Sequence, residues 1–448
     1  MLETGISLPN RILKHFISLS LIIVGISLLF ISCGAPKEKK TIKLAFWADR
    51  INRESAIALV NQYNQSNPEV KVEYLPVEKP YERKVLTMIA GGAPPDIIIL
   101  SPIDVIEYAQ RGTLLQLDQY LNTDTEFIAL KPDIIPGLLD ETKYQAHYYA
   151  MPFWTNAVAL IYNRDMFDKE KLAYPTADWT WDDFLHAAKR LTQDTNHDGK
   201  IDQFGCRPVM TTLGAPWETY MYIRQNNAQL FSPDMEKCLV ENNEVKEAIR
   251  WVLDLQVKYH VAPVHNELDA GSYFSAGKIA NPFLANKTAM AVCGRWWNVF
   301  NLDKLPFKWG IVPMMKGKHA TNLRSTVCLG VSSKTKYPEG CWQFLKFTAG
   351  KTGQEFISKN RSEISILYSN GTSSTYLNSF FTPEINKVFF DAVVNSESYP
   401  AFIGQYEWAD YTQQLLDQVL ENKMALDDAC KKITAKYQEI RRSKANKP

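Results

Sequence analysis

From Thr41 onward the chain alternates short apolar segments of strand length with amphipathic segments of helical length, which restricts its fold more than any other feature of the 448 residues. IKLAFW at 42–47, apolar but for Lys43, and DIIIL at 96–100, apolar after Asp96, have the pattern of buried strands. VKVEYLPV at 70–77 alternates with period two. Between them ESAIALVNQYNQ (54–65) and the stretch around 80–90 carry apolar residues at helical spacing, GGAPP marks a loop, and a further helix is expected over about 103–111. Strands separated by helices pair in parallel, and the helices cover both faces of the sheet. The fold class is α/β.

The pattern continues with a change of emphasis. HYYAMPFWTNAVALIYN (147–163) is a long extended stretch broken by Pro152, a plausible stiff crossover point. TWDDFLHAAKRLTQ (180–193) starts with Thr180 as N-cap and Asp183 three residues on, a capping-box start with Asp in place of Glu. NEVKEAIRWVLDLQVKY (243–259) and PEGCWQFLKFTAG (338–350) are amphipathic helices, and Ala409 to Arg442 is helical. NKTAMAVC (286–293) and TVCLGVS (326–332) are strands, and YSNGTSSTYLNS (368–379) is the loosest internal segment. A chain of this length needs more than one core.

Fifty basic residues against 49 acidic ones leave a net charge of +1. That balance gives no electrostatic footing for nucleic acid as a partner. No GxSxG elbow, phosphate loop or HExxH motif is present, and the seven His residues show no metal spacing. Aromatics reach 12%, with 11 Trp. Some of these rings fill core; a surplus suits a site that stacks rings on apolar C–H faces.

Arg11, Lys14 and His15 precede the apolar run from Phe16 to Ser32, and Cys33 and Gly34 follow. A basic start, a short apolar stretch and small residues at its end describe a secretory signal over 1–32. ISCG resembles a lipoprotein signal, with Phe30 where Leu is usual; Cys33 is then the lipidated residue and 33–40 a tether. The alternative is an uncleaved membrane anchor. Both export the rest of the chain. The other cysteines, 206, 238, 293, 328, 341 and 430, contain no CxxC pair. They either form disulfides or sit buried as small hydrophobes.

WAD (47–49), AGGAPPDIII (90–99), MPFWTNAVALIYNRDMF (151–167), TWDDF (180–184), NKTAMAVCGRWW (286–297), PEGCWQFLKF (338–347) and YEWADYTQQL (406–415) resemble, in order, extracellular solute-binding proteins of family 1. The resemblance spans almost the whole mature chain, and known members bind maltose and other sugars. It implies a two-lobed periplasmic-binding-protein fold of type II, each lobe a mostly parallel sheet flanked by helices, with a hinge crossed three times. Lobe one is then 41–150 plus 321–370, and lobe two 151–320 plus 371–448. It also implies a monomer that captures a carbohydrate between the lobes and delivers it to the permeases and ATPase of an ABC importer, with no catalysis. A polyol, glycerophosphodiester or peptide ligand, or an exported carbohydrate-cleaving enzyme, is the alternative.

The positions this family implies for binding are Trp47, Asp49, Arg50, Ser101 and Asp104 in lobe one. Lobe two contributes Trp154, Asn156, Trp217, Glu218, Trp296, Trp297, Tyr406 and Trp408. All lie near strand ends or in loops, where an open α/β sheet places ligands. If 296 and 297 are extended, only one of the two rings faces the site. Trp181, Trp251 and Trp342 lie within amphipathic helices and are read as core. The family's usual Gly-Gly before the strand near 328 is Ser325-Thr326 here. Separately, DTNHDGKID (194–202) places Asp194, Asn196, Asp198, Lys200 and Asp202 at calcium-loop positions 1, 3, 5, 7 and 9, but position 12 is Gly205. It is a candidate for a structural Ca²⁺, the alternative being an Asx-rich turn without metal.

Overall fold

The computed structural model describes residues 40–48, 50–207, 213–214, 219–263, 281–300, 302–360 and 363–445. The expected signal segment, Cys33 and the tether as far as residue 39 lie outside the described residues. So do Asp49, Trp217, Glu218 and the side chain of Arg50.

The twelve strands of the described residues are β1 (Lys40–Trp47), β2 (Val70–Val77), β3 (Ile97–Leu100), β4 (Lys143–Tyr144), β5 (His147–Tyr148), β6 (Ala150–Asn156), β7 (Val158–Asn163), β8 (Phe204–Cys206), β9 (Thr288–Gly294), β10 (Trp309–Val312), β11 (Asn322–Val331) and β12 (Ser396–Ser398). Six of them form one sheet in the order β12-β11-β3-β1-β2, with β6 also paired to β11. A second sheet runs β10-β7-β9-β8. β1 is parallel to both β2 and β3, as helix-linked strands must be. The second sheet is mixed rather than mostly parallel: β7 is antiparallel to β9 and β10, and only β8 and β9 run together.

The apolar runs follow from double-sided burial. Every residue of β3 and of β7 is buried. In β7 the alternation of side chains sends Val158, Leu160 and Tyr162 into one core and Ala159 and Ile161 into another. The first core is built on the six-stranded sheet and continues over one face of the second sheet, where Phe389 and Val393 of the Pro383–Val394 helix join it. The other core holds Trp408, Leu416, Cys430 and Tyr437 from the two C-terminal helices, Gln405–Leu420 and Leu426–Ala445.

Pro152 is not the crossover. It lies opposite Cys328 within the first sheet, and the chain leaves that sheet at Ala157, between β6 and β7. The missing proline N–H is accommodated beside an irregularity in β11 between Val327 and Cys328. Thr180 and Asp183 form the expected capping box. The segment at 368–379 is not loose: it forms two short helices, and Tyr376 is buried against the guanidinium of Arg295, 4.6 Å from its ring centre. Arg295 also donates to Asn386 Oδ1 at 2.9 Å, the Glu363 carbonyl at 2.8 Å and Ser379 Oγ at 2.7 Å. All six described cysteines are free and buried, so they act as small apolar groups and not as a disulfide framework.

Where β11 meets β12, the two halves are tied together. Ser396 and Ser398 face one side of the strand and Glu397 the other. Arg324 donates to Glu141 at 2.5 Å, the Ser396 carbonyl at 2.8 Å and Ser398 Oγ at 2.6 Å. Both side chains of the ion pair are only 6% exposed. Glu397 instead accepts from Arg224 at 2.8 Å and Thr321 Oγ1 at 3.0 Å. Gly137 permits the Arg324 arrangement: its φ is +86°, and a Cβ there would lie 2.2 Å from the guanidinium.

This knot makes a stability prediction. Gly92 has a similar φ of +75° but open space where its Cβ would go. Gly92→Ala should cost about 1–2 kcal/mol for the left-handed backbone alone. Gly137→Ala should cost several kcal/mol, on the scale of about 3–5 for breaking a buried ion pair. Urea melts of both variants check this; equal losses would contradict the packing around Arg324.

Candidate functional site

In an open α/β fold the strands' C-terminal ends face the crevice where ligands bind. Here β1 ends at Trp47, and two tyrosine hydroxyls pin that end. Tyr74 donates to the Trp47 carbonyl at 2.9 Å and Tyr81 to the Ala45 carbonyl at 3.1 Å. The half-buried indole of Trp47 lies 6.1 Å from that of Trp154, which is 2% exposed and packs on Phe153 at 4.3 Å. Trp154 is thus the floor beneath Trp47, not an open stacking face.

Two residues further, at the crossover, Asn156 is 8% exposed and its Oδ1 has no hydrogen-bond partner. A buried acceptor left unpaired costs about 1–3 kcal/mol, so a group that donates to it is strongly favoured there. The register of the second sheet places Gly294 opposite Val158, next to the crossover. Trp296 lies over Gly294, where a Cβ would come within 1.8 Å of the indole. Its ring is half-buried and touches both cores. The strand ends of the two sheets thus present one indole each, Trp47 and Trp296, with the free acceptor of Asn156 at the strand crossing.

A second group joins the halves directly. Ser101 and Asp104 cap the Pro102–Gln110 helix reciprocally. Tyr406, at the start of the Gln405–Leu420 helix, inserts its hydroxyl between them: Tyr406 Oη lies 3.1 Å from Ser101 Oγ and donates to Asp104 Oδ1 at 3.1 Å. Beside it the Gly404 N–H donates to Glu107 at 3.2 Å. The Tyr406 ring is 42% exposed, but its hydroxyl is enclosed, and burial followed by the Asp104 charge pushes its pKa well above the usual tyrosine value. Burial likewise pushes Asp104 up to about 6, against the lowering effect of its Ser101 and Tyr406 hydrogen bonds.

Several expected site residues fall elsewhere. Trp408 is fully enclosed by Phe231, Phe402 and Tyr437 and is core, because the helix turns that face inward. Trp297 is buried against Phe283, while its neighbour Trp296 faces the crossing. Ser101, Asp104 and Tyr406 are brought together, but their polar groups are engaged with one another. Trp342 is core as expected; Trp181 and Trp251 stack on each other at 4.4 Å against the second core.

In the calcium candidate the acidic and amide side chains accept from the loop's own backbone. Asp194 accepts from the N–H groups of Asp198 and Gly199 at 3.2 and 2.7 Å, Asn196 from Asp198 at 2.9 Å and Asp198 from Lys200 at 2.8 Å. Asp202 is turned to Thr195. Among the described residues no three His, Cys, Asp or Glu side chains are placed to hold a metal ion. The hydrogen bonds within the loop hold it in a tight turn with Gly199 at a φ of +87°. Residues not anticipated from sequence are Tyr74, Tyr81, Glu107 and Gly404. Tyr74 and Tyr81 sit at apolar positions of a strand and a helix, and nothing in those patterns marks a hydroxyl as functional. A cavity of about 240 Å³ lined by Arg250, Asp254, Met424 and Asp427 lies among outer helices, with no strand end in its walls.

Two sheets, each with its own core and joined at the β6–β7 crossing, define a two-lobed α/β fold. Residues 47–355 match the model of the bacterial extracellular solute-binding protein family, so the chain belongs to that family, whose members bind solutes and are not enzymes. The fold is similar to an ABC substrate-binding protein of Listeria monocytogenes in complex with cycloalternan, with a TM-score of 0.78, 24% identity and coverage of 92% of this chain and 100% of that one. It is also similar to the maltose/maltodextrin-binding domain of Bdellovibrio bacteriovorus bound to maltotriose, with a TM-score of 0.70, 18% identity and coverage of 90% and 100%. A Streptomyces antibioticus protein described as an uncharacterized lipoprotein is 30% identical over 182 residues, which span 39% of each chain.

The buried carboxyl sets a pH dependence. Asp104 is raised in the folded state, so the folded protein binds more protons than the unfolded chain between about pH 4 and pH 6. Its contribution favours folding at low pH and is lost as pH rises through that window. Denaturation across pH 4 to 7 should show wild type losing stability relative to Asp104→Asn as pH rises; parallel curves would contradict the burial of this charge.

Proposed function

We propose that this protein captures a mono- or oligosaccharide in the crevice between its two sheets and delivers it to the permease of an ABC importer. The observation that carries this reading is the pair of half-buried indoles, Trp47 and Trp296, at strand ends of the two different sheets, with the unpaired Asn156 acceptor at the crossing. A pyranose has apolar C–H faces that stack on such rings and hydroxyls that donate to such an acceptor. A solute that touches both halves favours the closed arrangement by its differential affinity, and that is what a permease can read. The carbohydrate-bound relatives of the same fold support the substrate class. The membrane tether in this reading is a lipid on Cys33, in keeping with the lipoprotein description of one relative.

The test is a thermal-shift screen of a sugar library followed by calorimetry on variants. A true ligand at 100 times its dissociation constant adds about 2.7 kcal/mol of stability. Trp47→Ala and Trp296→Ala should then weaken binding by about 1–3 kcal/mol, tenfold to a hundredfold. Trp408→Ala should instead lower stability by about 3–5 kcal/mol. No shift with any sugar, but a shift with a polyol, glycerophosphodiester or peptide, would overturn the substrate class.

A further inference from the structure

The contact between Ser101, Asp104 and Tyr406 is a closed triangle of three side chains that joins the two halves of the molecule. Ser101 Oγ is 2.7 Å from Asp104 Oδ2, Tyr406 Oη is 3.1 Å from Asp104 Oδ1, and Tyr406 Oη is 3.1 Å from Ser101 Oγ. The Pro102–Gln110 helix belongs to the first core through Val105 and Tyr108. The Gln405–Leu420 helix belongs to the second through Trp408 and Leu416.

Three oxygen–oxygen contacts need three hydrogens. The serine and tyrosine hydroxyls supply two, and a charged aspartate supplies none. With Asp104 ionised, both hydroxyls point at the carboxylate and the Ser101–Tyr406 contact holds no hydrogen. With Asp104 protonated, each of the three side chains donates once and accepts once around the ring, the carboxyl donating from one oxygen and accepting at the other, and such rings are cooperative.

The surroundings favour the proton. Asp104 is 6% exposed, and no cation among the described residues pairs with it. The groups acting on it are Tyr81 and Glu82 from the Tyr81–Ala90 helix, Ser101 at the start of its own helix and Tyr108 within it, Cys328 from β11, and Tyr406; Glu107 of its own helix acts on Tyr108. The nearby cation, Arg111, lies 3.7 Å from Glu107. Separating the halves returns water to the carboxylate, which favours the charged form; it also removes the Tyr406 hydrogen bond, which favours the charge in the closed form, but burial is the larger of the two effects.

We propose that this triangle is a proton-operated latch: Asp104 takes up a solvent proton as the halves come together, so the closed arrangement is firmer at mildly acidic than at neutral pH. The latch bears on solute capture only through the reading that solute enters between the halves, and it operates in the solute-free protein.

Small-angle X-ray scattering of the solute-free protein at pH 7.5 and 5.0, at fixed ionic strength, tests it. Wild type should have a smaller radius of gyration at pH 5.0. Asp104→Asn, whose amide supplies the third hydrogen at any pH, should be compact at both. Tyr406→Phe, which keeps the ring and loses the hydroxyl, should be expanded at both. Wild-type dimensions that do not change with pH, expand on acidification, or respond alike in all three proteins would overturn the proposal. Because no sugar is present, failure here leaves the carbohydrate reading standing, and failure of the sugar screen leaves the latch standing.

Discussion

Strand β11 is the element on which the rest of the molecule hangs. Its ten residues pair with β12 near their start, β6 along the middle and β3 at the end. The same strand carries Arg324, whose buried charge is matched by Glu141 from the first half. It lies beside Glu397, which holds Arg224 from the second. A buried pair of this kind adds little net stability but punishes any arrangement that separates its members. The halves are therefore joined at a fixed place, and among the described residues they also meet through hydrogen bonds at Tyr406 and Gly404. A firm back and a lightly bonded front are what a molecule that opens and closes on a solute requires.

Much of this architecture is legible in the sequence because burial on both faces leaves a plain trace. IIIL at 97–100 and VALIY at 158–162 read as strands in any context. The capping box at Thr180 and the helices after it follow from local chemistry. Strand direction in the second sheet is not legible, because antiparallel pairing of β7 with β9 spans more than a hundred residues and leaves no local mark. Pro152 misleads for a similar reason: proline signals a break, yet an irregularity in a strand from far along the chain absorbs it.

The site divides in the same way. Residue type points to Trp47, Asn156 and Trp296, but the choice between Trp296 and Trp297 depends on which ring finds the empty face of Gly294. Trp408 carries the same composition signal as Trp47 and is core, since helical phase and not residue type decides which way it turns. The acidic loop at 194–202 has the spacing of a metal site, and its carboxylates accept from their own backbone, a pairing that spacing alone does not reveal.

What unites these features is the claim that solute binds at the strand crossing and not on an outer face. A crystal structure of the protein with its tightest-binding sugar tests that most directly. A sugar ring stacked on Trp47 or Trp296, with a hydroxyl donating to Asn156 Oδ1, is the predicted result. Sugar seated instead in the outer-helix cavity beside Arg250 and Asp427, with the crevice empty, would contradict it.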